Sequence, residues 1–386
     1  MSSIIEAFKN NIRQYSMLIA LIAIMLFFQV LTGGILLKPL NITNLVLQNS
    51  YILIMAIGML LVIVAGHIDL SVGSIVAFIG ATSAVMMVNL HINVGVTIVA
   101  CLLLGALIGA WQGFWVAYIK IPSFIVTLAG MLVFRGLTLV MLQGASVGPF
   151  PKAFQKISSG FIPDFFGGKD VHITTMVIAV CFLLAIVFVE LRSRSKKMAL
   201  GFAVSPKPVL IFKLLGISAA VLYLCSLLAS YKGLPNVLVV LFSLTVLYAF
   251  ITTQTVTGRR IFALGGNEQA AKLSGVKTRR LTLLTFANLG LLSALAGLVF
   301  AARLNVATPK AGTSFELDVI AACFIGGASA SGGVGTVIGA LIGALVMGVM
   351  NNGMSIMGIG IDWQQAIKGM VLLFAVFFDV YNKSKN

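Results

Sequence analysis

Long apolar runs separated by short polar breaks recur along almost the whole chain. Each run is ~20 residues, the length at which an α-helix crosses a hydrocarbon core. The pattern predicts spans over 16–37, 45–65, 74–90, 94–119, 123–142, 173–190, 209–230, 236–256, 281–302, 334–350 and 363–380. A shorter piece, 317–325, is too brief to cross. It runs into Gly326-Gly-Ala-Ser-Ala-Ser-Gly-Gly-Val-Gly335, which reads as a half-helix that turns back. The expected fold is therefore all-α and polytopic, one transmembrane domain over 1–386 with about 10–11 crossing helices plus a re-entrant half-helix. A β-barrel would show short alternating segments instead.

The polar breaks carry the remaining information. Residues 1–15 place Ile4, Ile5, Phe8 and Ile12 at helical spacing, the pattern of a helix lying on a membrane surface. The run after it exceeds a signal-peptide core and lacks an Ala-x-Ala site, so it reads as a retained first span. Lys38-Pro39 ends that span, and Asn41 or Thr43 can cap the next helix. Gly66-His-Ile-Asp-Leu-Ser-Val-Gly-Ser74 marks a helix interruption with two ionisable residues. An acid beside a span, here Asp69, is a functional candidate. The structural alternative is a cap for the following helix made by Asp69 or Ser71. Lys120-Ile-Pro-Ser-Phe124 is a tight turn with proline at a helix start. Arg135 lies inside an apolar run and must face another polar group, water or the bundle interior.

Two breaks are long. Residues 143–172 hold Lys152, Lys156, Asp164, Lys169 and Asp170 together with Phe150, Phe154, Phe161, Phe165 and Phe166. They read as an extracytoplasmic loop with a surface helix, suited to docking or to interfacial anchoring. Residues 258–280 contain the best-marked polar helix. Asn267 can cap it, Glu268 and Gln269 favour its positive end, and Ala270, Ala271, Lys272 and Leu273 are good helix formers. Gly275 follows Ser274 where a left-handed cap is wanted. Arg259-Arg260 and Arg279-Arg280 bracket it. A helix this short is marginal alone, so it is either a docking surface for a soluble partner or an ordinary solvated loop. In the 334–350 span, Gly335, Gly339 and Gly343 recur at every fourth position, a spacing that lets two helices pack closely in lipid.

Composition sharpens the class. The chain is 60% hydrophobic and 9% charged, with mean hydropathy +1.09. The net charge of +16 does not point to nucleic acid, because the basic residues sit in short loops with no aromatic-interleaved groove. With the N-terminus inside and the spans alternating, seventeen Lys/Arg fall on the inner side and seven on the outer. That asymmetry puts both termini and the 258–280 helix in the cytoplasm. Cys101, Cys181, Cys225 and Cys323 lie in apolar runs without CxxC spacing, so neither disulfides nor a zinc site is indicated. There is no Walker A motif, no His-Glu-x-x-His and no pair of acids suited to hydrolysis. Gly333-Val-Gly335-Thr-Val-Ile-Gly339 follows no strand and reads as helix packing. No metal site, cofactor or catalytic set is expected in the chain.

Four of these blocks bring a family into view. Gly66-His-Ile-Asp-Leu-Ser-Val-Gly-Ser74 resembles the acid-Leu-Ser-Val-Gly block of permeases in ribose, galactose and xylose ABC importers. Ile121-Pro-Ser-Phe-Ile-Val-Thr-Leu-Ala-Gly-Met131, Gly265-Gly-Asn-Glu-Gln-Ala-Ala-Lys-Leu-Ser-Gly275 and the Gly326–Gly335 turn are similar to three more of their blocks, in the same order. The chain length, the extra span near 209–230 and the stretch Asn351–Gln365 most resemble xylose and multiple-monosaccharide permeases. His67 stands where many relatives carry another residue, and no role is carried over to it.

The resemblance implies a multi-pass permease subunit of a bacterial inner membrane, not itself an enzyme, with a fold like that of the vitamin B12 importer permease. It implies a second permease copy, most simply a homodimer, a cytoplasmic ABC ATPase that carries ATP and magnesium, and a periplasmic sugar-binding protein. Gly265, Gly266, Asn267, Glu268, Gln269, Ala270, Ala271, Lys272, Leu273, Ser274 and Gly275 would form the coupling helix on the ATPase. The cargo would be a pentose or hexose such as xylose, arabinose, galactose or glucose. Asp69, Ser71, Ser123, Thr127, Asn351 and Asn352 are the candidate pore groups. The rival expectation is an ion-coupled secondary transporter using Asp69. The two differ in energy source.

Overall fold

The computed structural model describes residues 12–168, 171–202, 204 and 207–384. The expected surface helix over 1–15 falls mostly outside these residues, as do Lys169 and Asp170 of the long loop.

The helices in chain order are α1 (Ile12–Leu31), α2 (Pro39–Val64), α3 (Val72–Ala84), α4 (Val94–Phe114), α5 (Ser123–Leu142), α6 (Lys152–Ser159) and α7 (Ile173–Ala199). They continue as α8 (Lys207–Ala229), α9 (Asn236–Gln254), α10 (Val256–Gly266), α11 (Glu268–Leu273), α12 (Thr278–Leu304), α13 (Phe315–Ile325), α14 (Val337–Ile356) and α15 (Ile361–Ser384). Single π-helical segments prolong α3 through Val85–Asn89 and α4 through Trp115–Ile119. Among the described residues there are no strands, and nine helices are long and apolar enough to cross a membrane.

The sequence sets these boundaries. Pro39 opens α2 at a position where its missing N–H costs nothing. Asn93 caps α4 by accepting from Gly95 N at 2.8 Å. Thr336 caps α14 by accepting from Gly339 N at 3.0 Å. Two boundaries differ from expectation. The basic stretch Arg192–Lys197, read as a loop, forms the last turns of α7, where Lys196 and Lys197 face the negative helix end. Residues 256–266, read as loop, form α10, capped by Thr255 Oγ1 accepting from Gly258 N at 3.1 Å.

Burial separates a centre from a lipid-facing shell. The most apolar stretch of α2 is 78% buried, that of α14 72%, and that of α8 0%. Thus α2 is the axis of the subunit and α8 needs lipid for its apolar surface. Around α2, backbones approach closely through small residues. A Cβ added at Gly109 of α4 would lie 2.2 Å from Phe286 O of α12. The expected role of Gly339 and Gly343 holds: added Cβ atoms would lie 2.1 Å from Gly326 O and 1.9 Å from Ala322 O. So α14 folds back antiparallel along α13.

α13 runs alongside the second half of α2. Its Phe315 stacks on Tyr51 with ring centroids 4.3 Å apart, and Cys323 Sγ approaches Ala56 O at 3.5 Å. The glycine-rich turn then carries the chain on to the end of α2, where Gly333 N donates to Val64 O at 2.8 Å. A helix of 11 residues is too short to cross, as expected; helix and turn together run from the level of Tyr51 to the end of α2.

Candidate functional site

Gly265 is where the 258–280 segment meets the core. A Cβ there would lie 1.6 Å from Val64 O and 2.8 Å from Gly333 N. Only glycine lets α10, the end of α2 and the turn before α14 meet backbone to backbone. Gly333 has φ +75, a left-handed conformation that favours glycine. The polar helix that follows matches its expected signals. Asn267 accepts from Ala270 N at 2.9 Å, and Gly275 adopts φ +81 while Val276 N closes onto Ala271 O at 3.0 Å.

The surface of α11 is marked in two ways. Leu273 is 90% exposed on an otherwise polar helix. Beside it opens a cavity of about 560 Å³ lined by Lys120, Glu268, Lys272, Lys277, Arg279 and Arg280 among others. Lys120 Nζ, at the α4–α5 turn, pairs with Glu268 Oε1 at 2.9 Å. That hydrogen bond holds the Glu268 carboxyl below the usual range, against a smaller opposing effect of burial.

The six candidate pore residues divide into two places. Asp69, Ser71, Ser123 and Thr127 gather at the break between α2 and α3. Asp69 Oδ1 accepts from Ser71 N at 2.7 Å and Ser71 Oγ at 2.6 Å. Gln112 Nε2 donates to Ser71 Oγ at 2.8 Å. Ser123 Oγ accepts from Ile68 N at 3.2 Å, and Thr127 Oγ1 donates to Ser123 O at 2.9 Å. Ser71 is the N-cap residue of α3 and no side chain caps its first turn; Asp69 braces Ser71 just before the helix begins. No group of three His, Cys, Asp or Glu able to hold a metal occurs among the described residues.

Asn351 and Asn352 lie near the far end of α14. Asn352 exchanges two hydrogen bonds with Asn41 of α2, at 2.8 and 3.2 Å. Asn351 Nδ2 instead points to Asp318 Oδ2 at 3.4 Å, which also accepts from Lys368 Nζ at 3.1 Å. Sequence reasoning missed Asp318 and Lys368. Their signal was available, since both are charged residues in apolar helices.

The 143–172 segment is joined to the polar segment 303–316 that follows α12. Val147 and Ala307 exchange backbone hydrogen bonds at 3.0 and 2.9 Å, and Phe150 N donates to Asn305 Oδ1 at 2.8 Å. Arg135 meets its need for a polar partner by donating to Ala311 O at 2.6 Å. Asp164 accepts from Thr174 Oγ1 at 2.7 Å and from the N–H groups of Phe166, Gly168, Ile173 and Thr174. The Thr174 hydroxyl first, and then the amides of Thr174, Gly168 and Phe166, hold its carboxyl well below the ordinary range. Phe150 and Phe154 are core residues, whereas Phe165 and Phe166 are exposed.

This arrangement of a broken central helix, a glycine-rich joint and a capped surface helix can be compared with known proteins. The family described as "Branched-chain amino acid transport system / permease component" matches residues 41–376. The chain belongs to this family. It is 41% identical over 376 residues to the xylose transport system permease protein XylH of Escherichia coli K12, covering 97% of this chain and 94% of that one. It is 41% identical over 375 residues to the protein of the same name from Haemophilus influenzae, covering 97% and 98%. It is 35% identical over 345 residues to the ribose import permease protein RbsC of Escherichia coli K12, covering 88% and 85%. No solved structure matches the chain. The family description names branched-chain amino acids, but the relatives named here are sugar permeases that match nearly end to end. The permease is a multi-pass membrane transport subunit of the sugar type.

Proposed function

We propose that this permease moves a monosaccharide, a pentose such as xylose or a hexose, inward across a bacterial inner membrane, driven by a separate ATPase. The substrate class is supported by the names of the relatives, xylose and ribose permeases. The observation that carries the coupling role is Leu273. An apolar side chain left 90% exposed on a polar helix suits a groove on a soluble partner. Residues Gly265–Gly275 are the coupling segment within a 258–280 cytoplasmic loop, and the partner binds ATP and magnesium.

The joint of Gly265, Val64 and Gly333 gives the coupling segment direct purchase on α2 and α14. The joined 143–172 and 305–314 segments offer an outer surface for a periplasmic sugar-binding protein. A second copy of the chain completes the pore, in a fold like that of the vitamin B12 importer permease. The passage through α13 and its turn makes the number of crossings even, which supports N- and C-termini on the same, cytoplasmic, side. Asp69, Ser71, Ser123 and Thr127 support the α3 entry, and Asn351 faces the path. ATP binding closes the ATPase, and the motion opens the path to alternate sides.

The test is co-purification of an ATPase with the wild type and with Glu268→Arg/Leu273→Arg. Capture by the wild type and loss in the variant is expected. Uptake that proceeds on an ion gradient with no ATPase bound would sink the reading.

A further inference from the structure

The polar cluster where α13, α14 and α15 meet has no part in the coupling geometry. Asp318 is 4% exposed, and its Oδ2 takes two donors, Lys368 of α15 and Asn351 of α14. The other carboxylate oxygen, Asp318 Oδ1, is buried without a hydrogen-bond partner among the described residues, and so is Asn351 Oδ1. The two acceptors sit on neighbouring groups, whose other atoms, Asn351 Nδ2 and Asp318 Oδ2, meet at 3.4 Å. Glu316, two residues earlier, holds a third such atom, its Oε2.

Buried acceptors without donors are uncommon and costly, and they call for a guest that brings donors. The charges select which guest. Asp318 and Glu316 are balanced by Lys368 and by Arg135, whose guanidinium binds the segment that leads into α13. With Arg303 also in electrostatic reach of Tyr51, the acids are at least matched by cations, so a cationic guest gains no advantage. A neutral polyol supplies several O–H donors and carries no charge. One turn before Asp318 on the same face of α13, Phe315 stacks on Tyr51 and adds an aromatic wall of the kind that suits a sugar's C–H face.

We propose that Asp318, Asn351 and Lys368 form a hydroxyl-binding station on the transport path. Asp318 Oδ1 and Asn351 Oδ1 accept from neighbouring hydroxyls of a neutral monosaccharide, and Lys368 holds the carboxylate in place. The proposal rests on the sugar-permease reading and adds to it the residues that meet the cargo.

The experiment uses the full assembly in proteoliposomes: permease, ATPase and wild-type binding protein. The probes are D-xylose and its monodeoxy analogues, and the variant is Asn351→Leu. Because the binding protein is unchanged, its own selectivity cancels between wild type and variant. Transport of D-xylose should fall about tenfold or more, with binding-protein-stimulated ATP hydrolysis within about twofold of wild type. The wild type's preference for D-xylose over at least one deoxy analogue should disappear in the variant.

Hydrolysis and transport falling together, or a preference that is unchanged, overturns the station. If Asn351→Leu does not assemble, Asn351→Ser removes the same carbonyl with less bulk and is read the same way. A wild-type assembly that moves none of these sugars overturns the permease reading and the station with it.

Discussion

Lys120 and Glu268, 148 residues apart in sequence, meet at 2.9 Å and tie the α4–α5 turn to the helix proposed to dock on the ATPase. Both side chains are about half exposed, 52% and 50%, so the pair contributes well under about 1 kcal/mol to stability. Its value is positional.

Lys120→Glu should therefore lower ATP-driven uptake several-fold while leaving the thermal midpoint nearly unchanged. The charge swap Lys120→Glu/Glu268→Lys should restore much of the loss. The pH dependence follows from the depressed Glu268 carboxyl. A depressed folded-state value gives stabilisation that is present above the unfolded carboxyl's value and lost as pH falls through the folded one. Coupled uptake should stay level from neutral pH down to about pH 5, within reach of the ordinary carboxylate range, and fall only below it. A drop centred near neutrality would contradict the pairing.

Gly265 and Gly266 are neighbours with opposite tolerance. A Cβ at Gly265 would overlap Val64 O, at 1.6 Å, whereas one at Gly266 meets nothing within 4 Å. Gly265→Ala should cost several kcal/mol, roughly 2–4 by the scale of severe overpacking, and abolish coupled transport. Gly266→Ala should retain most activity. Uptake assays with expression-matched membranes distinguish the two.

Asp164 is the organiser of the 143–172 loop. Asp164→Ala removes every acceptor that holds Phe166, Gly168, Ile173 and Thr174 in place. Limited proteolysis should cut the 160–172 segment several-fold faster in the variant. Stimulation of ATP hydrolysis by the loaded binding protein should fall, while basal hydrolysis stays. An unchanged cleavage rate would show that the loop has another anchor.

The helix hairpin α13–α14 should tolerate no added bulk on its inner face. Gly343→Ala places a methyl 1.9 Å from Ala322 O, an overpacking worth about 1–3 kcal/mol. Gly369→Ala, with nothing within 4 Å, serves as the neutral control. Thermal unfolding in detergent reads the difference.

The crossing helices were legible because lipid imposes one simple demand, a run of apolar residues long enough to satisfy its own backbone. The short helix after Asn267 was legible because its cap, its first-turn acid and Gly275 are local signals. The cluster of Asp318, Asn351 and Lys368 was not, because the contact joins three helices and no local pattern encodes it. Helix α10 was missed for a related reason. Its two arginines look like loop residues, and its buried face, Ile261 and Leu264, is defined only by the core it packs on. Asp69 was left between two roles by the sequence; its bonds to Ser71 brace the residue before α3 without capping the helix.

The joint at Gly265, Val64 and Gly333 also bears on how such a permease can change. Contacts made by main-chain atoms cannot be adjusted through side chains, so this part of the molecule leaves selection almost no variation to act on. The helices α13 to α15, proposed to face the cargo, lie outside the joint and are linked to it by the glycine turn. A lineage, or a directed-evolution library, can therefore alter what is carried by varying α13 to α15 and inherit the means of driving it unaltered.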